Sequence, residues 1–234
     1  MDIFPPQIHK ALSATPGDLV FDMDGTLLEG DLSEGLYRER VALQPPSPEL
    51  LTLFAGRPLE DPNILPIREG CMACSIVLAG MTPAQIVALV DEWFADGRVR
   101  LRGEVVDLVK ATNEAGHRAW MVTGGSVWVG RAVAERVGIS KDRVIGVESA
   151  LMDGRLTDQI LEPVSAGAGK VVAWTRRTRA RPLLTVGDSR HDLPLMVASE
   201  LGGVLVYSEE SGEQDLLSTA QALGFVRWAL RTTP

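Results

Sequence analysis

The chain has 234 residues, 45% apolar and 23% charged, which suits one large folded domain or a domain carrying an insertion. A formal net charge of −8, with no dense Lys/Arg block, argues against a nucleic-acid binder, which needs a basic face. No apolar run approaches the ~20 residues of a membrane span, and the first residues lack a basic stretch followed by an apolar one. The expectation is a cytoplasmic protein with neither nucleic-acid nor membrane partners.

The first strand-like run, Leu19–Phe21, ends in the stretch Asp22-Met23-Asp24-Gly25-Thr26. Two carboxylates at ~4 Å repel by roughly 4 kcal/mol at an effective dielectric of ~20. A cation, a proton or a lysine must offset that repulsion. Gly25 permits a tight turn there, and Thr26 can hydrogen-bond within it.

From Gly30 to about Val99 the pattern is helical and prolines cluster at Pro45, Pro46 and Pro48. Thr82-Pro83-Ala84-Gln85 reads as a capping box that opens a helix over Pro83–Ala95, stopped by Asp96-Gly97. Cys71 and Cys74 form a CxxC in a segment that reads as a buried helix. No second Cys or His pair lies nearby to complete a zinc site, so packing is the expected role.

Beyond Val99, short apolar runs alternate with helical patterns. A helix is predicted over Glu104–Ala115, closed by Gly116. The run Ala119–Val122 leads into Thr123-Gly124-Gly125-Ser126, and a helix over Val127–Val137 is closed by Gly138. Further strands are predicted at Val144–Val147, Leu183–Val186 and Val204–Val206. Leu183–Val186 leads into Gly187-Asp188-Ser189-Arg190-His191-Asp192, and Lys170 sits at a predicted helix start. The arginines from Arg176 to Arg181 read as a solvated helix end, and the five tryptophans as core.

Short strands apolar throughout suit a parallel sheet buried on both faces. Their alternation with helices predicts an α/β fold, a doubly wound, mostly parallel Rossmann-like sheet. Residues 1–29 and 100–234 form its core, with 30–99 as a helical insertion after the first strand. In such sheets ligands bind outside the carboxyl ends of the strands, where this chain places four aspartates, a threonine, glycine-rich turns and a lysine. Mg²⁺ and a lysine would offset the acids, and free backbone N–H groups would cradle an anion. This set suits phosphoryl transfer.

The four pieces, DMDGT, VTGGS, Lys170 and GDSRHD, resemble in order the four motifs of the haloacid dehalogenase superfamily, and the insertion resembles its mobile helical cap. The resemblance implies a Mg²⁺-dependent phosphomonoester hydrolase working through an aspartyl-phosphate on a small phosphorylated metabolite. Asp22 would be the nucleophile and Asp24 the general acid and base. Thr123, Lys170 and Gly124 would bind phosphoryl oxygens. Asp22, the carbonyl of Asp24 and Asp188 would hold Mg²⁺, with Asp192 in support. Within the superfamily the chain looks most similar to the phosphoserine phosphatase branch, through VTGG, the hairpin-like Met152–Thr157 and the run Asp192–Met196. Asp31 falls where that branch carries an acidic, substrate-binding cap residue. Ala73–Ser75 stand where it carries a carboxylate-gripping arginine, with Arg68, nearby but not aligned, as the candidate substrate-binding residue of the cap, and His191 stands where it carries an asparagine. A phosphotransferase and a phospho-acceptor signalling module are the alternatives. Asp24 and the insertion speak against the second, which needs neither a leaving-group acid nor a lid.

Overall fold

A computed structural model describes residues 4–208 and 214–230. In chain order its elements begin with α1 (Pro6–Leu12), β1 (Asp18–Phe21), β2 (Leu28–Glu29), α2 (Leu32–Leu43), α3 (Pro48–Phe54), α4 (Ile67–Ile76), α5 (Pro83–Ala95) and β3 (Arg100–Leu101). They continue with α6 (Gly103–Glu114), β4 (Arg118–Ser126), α7 (Val127–Ala134), β5 (Val144–Met152), β6 (Arg155–Leu161), α8 (Ala168–Thr178), β7 (Leu184–Gly187), α9 (Leu193–Ala198), β8 (Gly203–Ser208), α10 (Gln214–Ala222) and β9 (Val226–Leu230).

Seven strands form one sheet in the order β6-β5-β4-β1-β7-β8-β9, parallel except for the antiparallel pair β5–β6. Every residue of β1 and β7 is buried. Leu19 and Phe21 pack into the larger core on one face, while Val20 packs on the other with Trp120, Val122 and Trp174. Trp120 and Trp174 meet edge to face with ring centres 5.3 Å apart. A strand covered on both sides has no polar face, which is why these runs show no alternation. The result is the doubly wound α/β sheet that the alternating pattern predicts.

β1 lies between β4 and β7, so successive crossovers run to opposite sides of it. The strand order therefore reverses at β1, and the carboxyl ends of β1, β4 and β7 open onto one crevice.

Helices α2 to α5 all lie between β2 and β3. These two short strands pair antiparallel, Leu28 with Leu101 and Glu29 with Arg100, and Arg102 N donates to Leu27 O at 2.9 Å. The chain thus leaves the sheet and returns at one point. Local chemistry starts each helix. Asp31 accepts from Glu34 N to cap α2, Ser47 from Leu50 N to cap α3, and Thr82 and Gln85 form the reciprocal capping box of α5.

Several elements differ from the sequence reading. β4 continues through Ser126, so VTGGS is strand rather than the loop after one, with a register shift against β5 between Val122 and Ser126. β5 runs on to Met152 because its outer half finds a partner in β6, and the chain reverses through Asp153 and Gly154, both at positive φ. β9 carries no strand signal strong enough to predict it from sequence, and it pairs with β8 at the sheet edge. Trp128 is half-buried rather than core, with the Arg131 guanidinium 4.7 Å over its ring. Among the described residues, no helix is long and apolar enough to cross a membrane.

Candidate active site

The crevice is a cavity of about 770 Å³ between the strand ends and the inserted helices. Asp22 follows β1 directly, and its N–H donates to Val186 O at 2.9 Å, which ties it to β7. The next residues turn sharply, Asp24 being extended and Gly25 at φ 72°. Glycine is required at 25 on two grounds. A side chain strains at that φ, and a Cβ there would lie 2.1 Å from Asp188 Oδ2. The first strand's turn and the β7 loop are therefore in backbone-to-carboxylate contact.

Lys170, in the first turn of α8, is 2% exposed. Its ammonium donates to Asp22 Oδ1 at 2.7 Å and to Asp192 Oδ1 at 2.6 Å. Burial works against the charged ammonium, but Asp192 and Asp22 outweigh it and hold Lys170 above the ordinary lysine range. Asp192 Oδ2 accepts from Asp188 N, Ser189 N and Ser189 Oγ, so this carboxylate braces its own loop as well as the lysine. Thr26 Oγ1 donates to Asp188 Oδ1 at 2.8 Å. That bond crosses between loops, where the sequence reading kept Thr26 within its own turn.

The acids outnumber the cation. Carboxylate oxygens of Asp22, Asp188 and Asp192 lie within 4.8 Å of one another, facing one lysine, a formal excess of two negative charges. Burial, followed by the charge of Asp192, pushes Asp22 up to about 7 despite Lys170. Burial and the charges of Asp22 and Asp192 push Asp188 well above the carboxylate range. Burial and then the charge of Asp31 do the same to Asp24, against hydrogen bonds from Ser33 and Leu32. Three hard oxygen donors short of positive charge are what a divalent cation of the Mg²⁺ type needs, so the residues present fit that ion.

At the end of β4, the Thr123 hydroxyl accepts from Gly125 N at 2.9 Å, and the Thr123 carbonyl accepts from Ser165 Oγ at 2.7 Å. Thr123, Gly124 and Gly125 all line the cavity, as do Asp22, Asp24, Asp31, Lys170 and Asp188. Asp192 lies just behind, through Lys170.

Arg68 does not join them. It is 46% exposed, pairs with Glu162 and Glu69, and points away from the cavity that its neighbours Ile67, Gly70 and Cys71 line. Position 68 falls on the outer face of α4, while 67, 71 and 74 share the inner one. The two cysteines depart from expectation in the opposite direction. Both are free thiols on the cavity wall and not packing groups alone. Burial, the leading cause for both, raises Cys71 to about 12 and Cys74 well above the ordinary thiol range, so neither is a ready nucleophile.

Sequence reasoning missed Ser33, Arg102 and the role of Gly125. Ser33 Oγ donates to Asp24 Oδ2 at 2.6 Å, and Arg102 Nε donates to the Gly25 carbonyl at 3.0 Å. Neither stands beside a strand-end motif, so no local signal marks them.

The chain matches the family model of haloacid dehalogenase-like hydrolases over residues 19–197. It belongs to that family. It is 24% identical over 213 residues to a phosphoserine phosphatase of Albidiferax ferrireducens, covering 86% of this chain and 83% of that one. It is 28% identical over 191 residues to a phosphoserine phosphatase of Halobacterium salinarum, covering 77% and 82%. A crystal structure of a Bordetella pertussis Tohama I protein superposes with a TM-score of 0.71 at 24% identity, covering 93% of this chain and 100% of that one. As a haloacid dehalogenase-like hydrolase, the chain carries the family's sheet with its crevice at the strand-order reversal.

Proposed function

We propose that this hydrolase cleaves a small phosphate monoester, with Asp22 as nucleophile. The observation that carries the reading is the pairing of the buried Lys170 with Asp22 and Asp192, with Asp188 beside them, at the ends of β1 and β7. Asp22, Asp188 and the Asp24 carbonyl would hold Mg²⁺, which would offset the charge of the carboxylates and the phosphoryl group.

Asp22 Oδ attacks phosphorus as the bond to the ester oxygen breaks. Asp24 hands its proton to that oxygen. Its partly buried carboxyl is raised above its ordinary range, chiefly by desolvation, which is the direction a leaving-group acid requires. Asp24, now a carboxylate, takes a proton from water, which attacks the phosphoryl group on Asp22 and releases phosphate. Lys170, Thr123 and the Gly124 N–H hold phosphoryl oxygens, and Asp192 keeps Lys170 in place. Residues 30–99 act as a cap that excludes water and contacts the leaving group, with Asp31 on its inner wall.

Two observations bear on the substrate. A cavity of about 770 Å³ suits a small metabolite. The sequence relatives named above are phosphoserine phosphatases, but among the described residues the cap wall of this cavity carries Asp31 and Glu34 and no cation, since Arg68 is turned outward. The substrate is therefore a small phosphomonoester whose leaving group needs no cationic partner from the cap. Phosphate release from a panel that includes phosphoserine and an aryl phosphate, with and without Mg²⁺, tests this. Mg²⁺-dependent release is expected, and no release from any compound refutes it. Alcohols added to the same assay separate hydrolysis from phosphate transfer.

A further inference from the structure

We propose that Ser33, the second residue of α2, is a positioning residue for Asp24, and that Gly125 is the socket that admits it. This rests on Asp24 being the leaving-group acid and adds the group that aims it.

Both oxygens of the Asp24 carboxyl are held by the start of α2. Leu32 N donates to Oδ1 at 2.8 Å, and Ser33 Oγ donates to Oδ2 at 2.6 Å. The first N–H groups of a helix have no partner within it, so Leu32 has a donor to give. Ser33 supplies the second donor from its side chain. Across the cavity the same hydroxyl rests on the β4 end. A Cβ on Gly125 would lie 2.1 Å from Ser33 Oγ. Gly125 is not among the glycines at positive φ, so its backbone alone does not require glycine. The requirement is for space, and Ser33 fills it. The second glycine of VTGGS is thereby explained by a residue 92 positions earlier in the chain.

The consequence is chemical. A carboxyl gripped at both oxygens cannot rotate freely, so the edge it offers the ester oxygen is set. When Asp24 gives its proton to that oxygen, it becomes a partly buried carboxylate, and two donors aimed at it stabilise the charge where it develops. Loss of Ser33 removes one donor and frees the rotation. In the first step, where the ester bond breaks, the loss matters only where the leaving oxygen needs a proton; the attack of water in the second step is the same for every substrate. An alkoxide needs one, and a dinitrophenolate does not.

The test uses the full-length chain saturated with Mg²⁺ and two substrates, glycerol phosphate and 2,4-dinitrophenyl phosphate. Ser33→Ala is expected to lower kcat/KM, which reports the step that expels the leaving group, on glycerol phosphate by about tenfold or more and on the dinitrophenyl ester by less than about threefold. Gly125→Ala, which pushes Ser33 off its seat, is expected to show the same asymmetry. In an Asp24→Asn background, Ser33→Ala should add no further asymmetry. Equal losses on both substrates would make Ser33 a packing residue and overturn the proposal. The reading beneath it fails separately. If the unaltered protein releases no phosphate from either ester or from any other compound of the panel, the proposed function is wrong. If Asp24→Asn itself shows no asymmetry, the acid assignment is wrong. Either result removes the proposal as well.

Discussion

Lys170 is the residue on which the site's electrostatics turn. It is one buried ammonium between two buried carboxylates, with a third, partly exposed, a few ångströms away. Removing one partner of such a buried set leaves an uncompensated charge and is costly, whereas an isosteric neutral replacement of an acid relieves repulsion. Asp22→Asn should therefore abolish turnover, by at least about a thousandfold, while the fold survives. Phosphate release and far-ultraviolet circular dichroism check both halves, and near-normal turnover would rule out Asp22 as the nucleophile. Gly25 gives a second prediction. At φ 72°, with a Cβ 2.1 Å from Asp188 Oδ2, Gly25→Ala must push that carboxylate away. The Mg²⁺ concentration for half-maximal activity should rise, at a stability cost of roughly 1–2 kcal/mol for the left-handed backbone. An unchanged Mg²⁺ dependence would show that Asp188 is not a ligand.

Among the elements, the inserted helices stand on local signals and the sheet on tertiary ones. α5 begins with a complete capping box, so Thr82→Ala should cost about 1 kcal/mol. Thermal unfolding would read that loss, and phosphate release should stay as it was, since Thr82 does not line the cavity. A larger effect on turnover than on stability would mean that α5 is coupled to the chemistry. β4 and β5 behave differently. Both run past the ends that their apolar runs suggest, because neighbouring strands satisfy their backbone groups there. Strand length is set by partners, which no local window contains.

For the whole molecule, the acidic cleft predicts a pH dependence of stability in the absence of metal. Asp22 binds its proton more tightly folded, at about 7, than unfolded, at 3.8. Below pH 3.8 both states are protonated and the group is neutral to stability. Between the two values the unfolded chain loses the proton first, so stability falls as pH rises, and the decline ends above about 7. Asp24 and Asp188 are shifted in the same direction and add to it. The metal-free protein should therefore become less stable from mildly acid to neutral pH, and Mg²⁺ should flatten the decline by offsetting the same charges. Thermal melts across pH, with chelator and with Mg²⁺, measure this. A stability that rises toward neutrality in the chelated protein would contradict the unfavourable burial of these acids.

The sequence by itself determined the class of fold and the chemical inventory of the crevice. Apolar runs without alternation can be buried only on both faces, and polar groups that follow such runs must emerge at the strand ends. Asp22, Thr123 and Asp188 were legible for that reason, and Lys170 from its place at a helix start. The tertiary structure alone decided which of these groups touch, and which way the insertion's side chains face. Lys170 meets Asp22 across 148 residues and Asp192 across 22, distances in sequence over which no pattern carries information. Arg68 and Cys71 lie within one turn of the same helix, yet one pairs with Glu162 outside and the other lines the cavity. Ser33 carries no motif at all. Its meeting with Asp24 and Gly125 exists only because the fold sets the start of α2, just after β2, over the ends of β1 and β4.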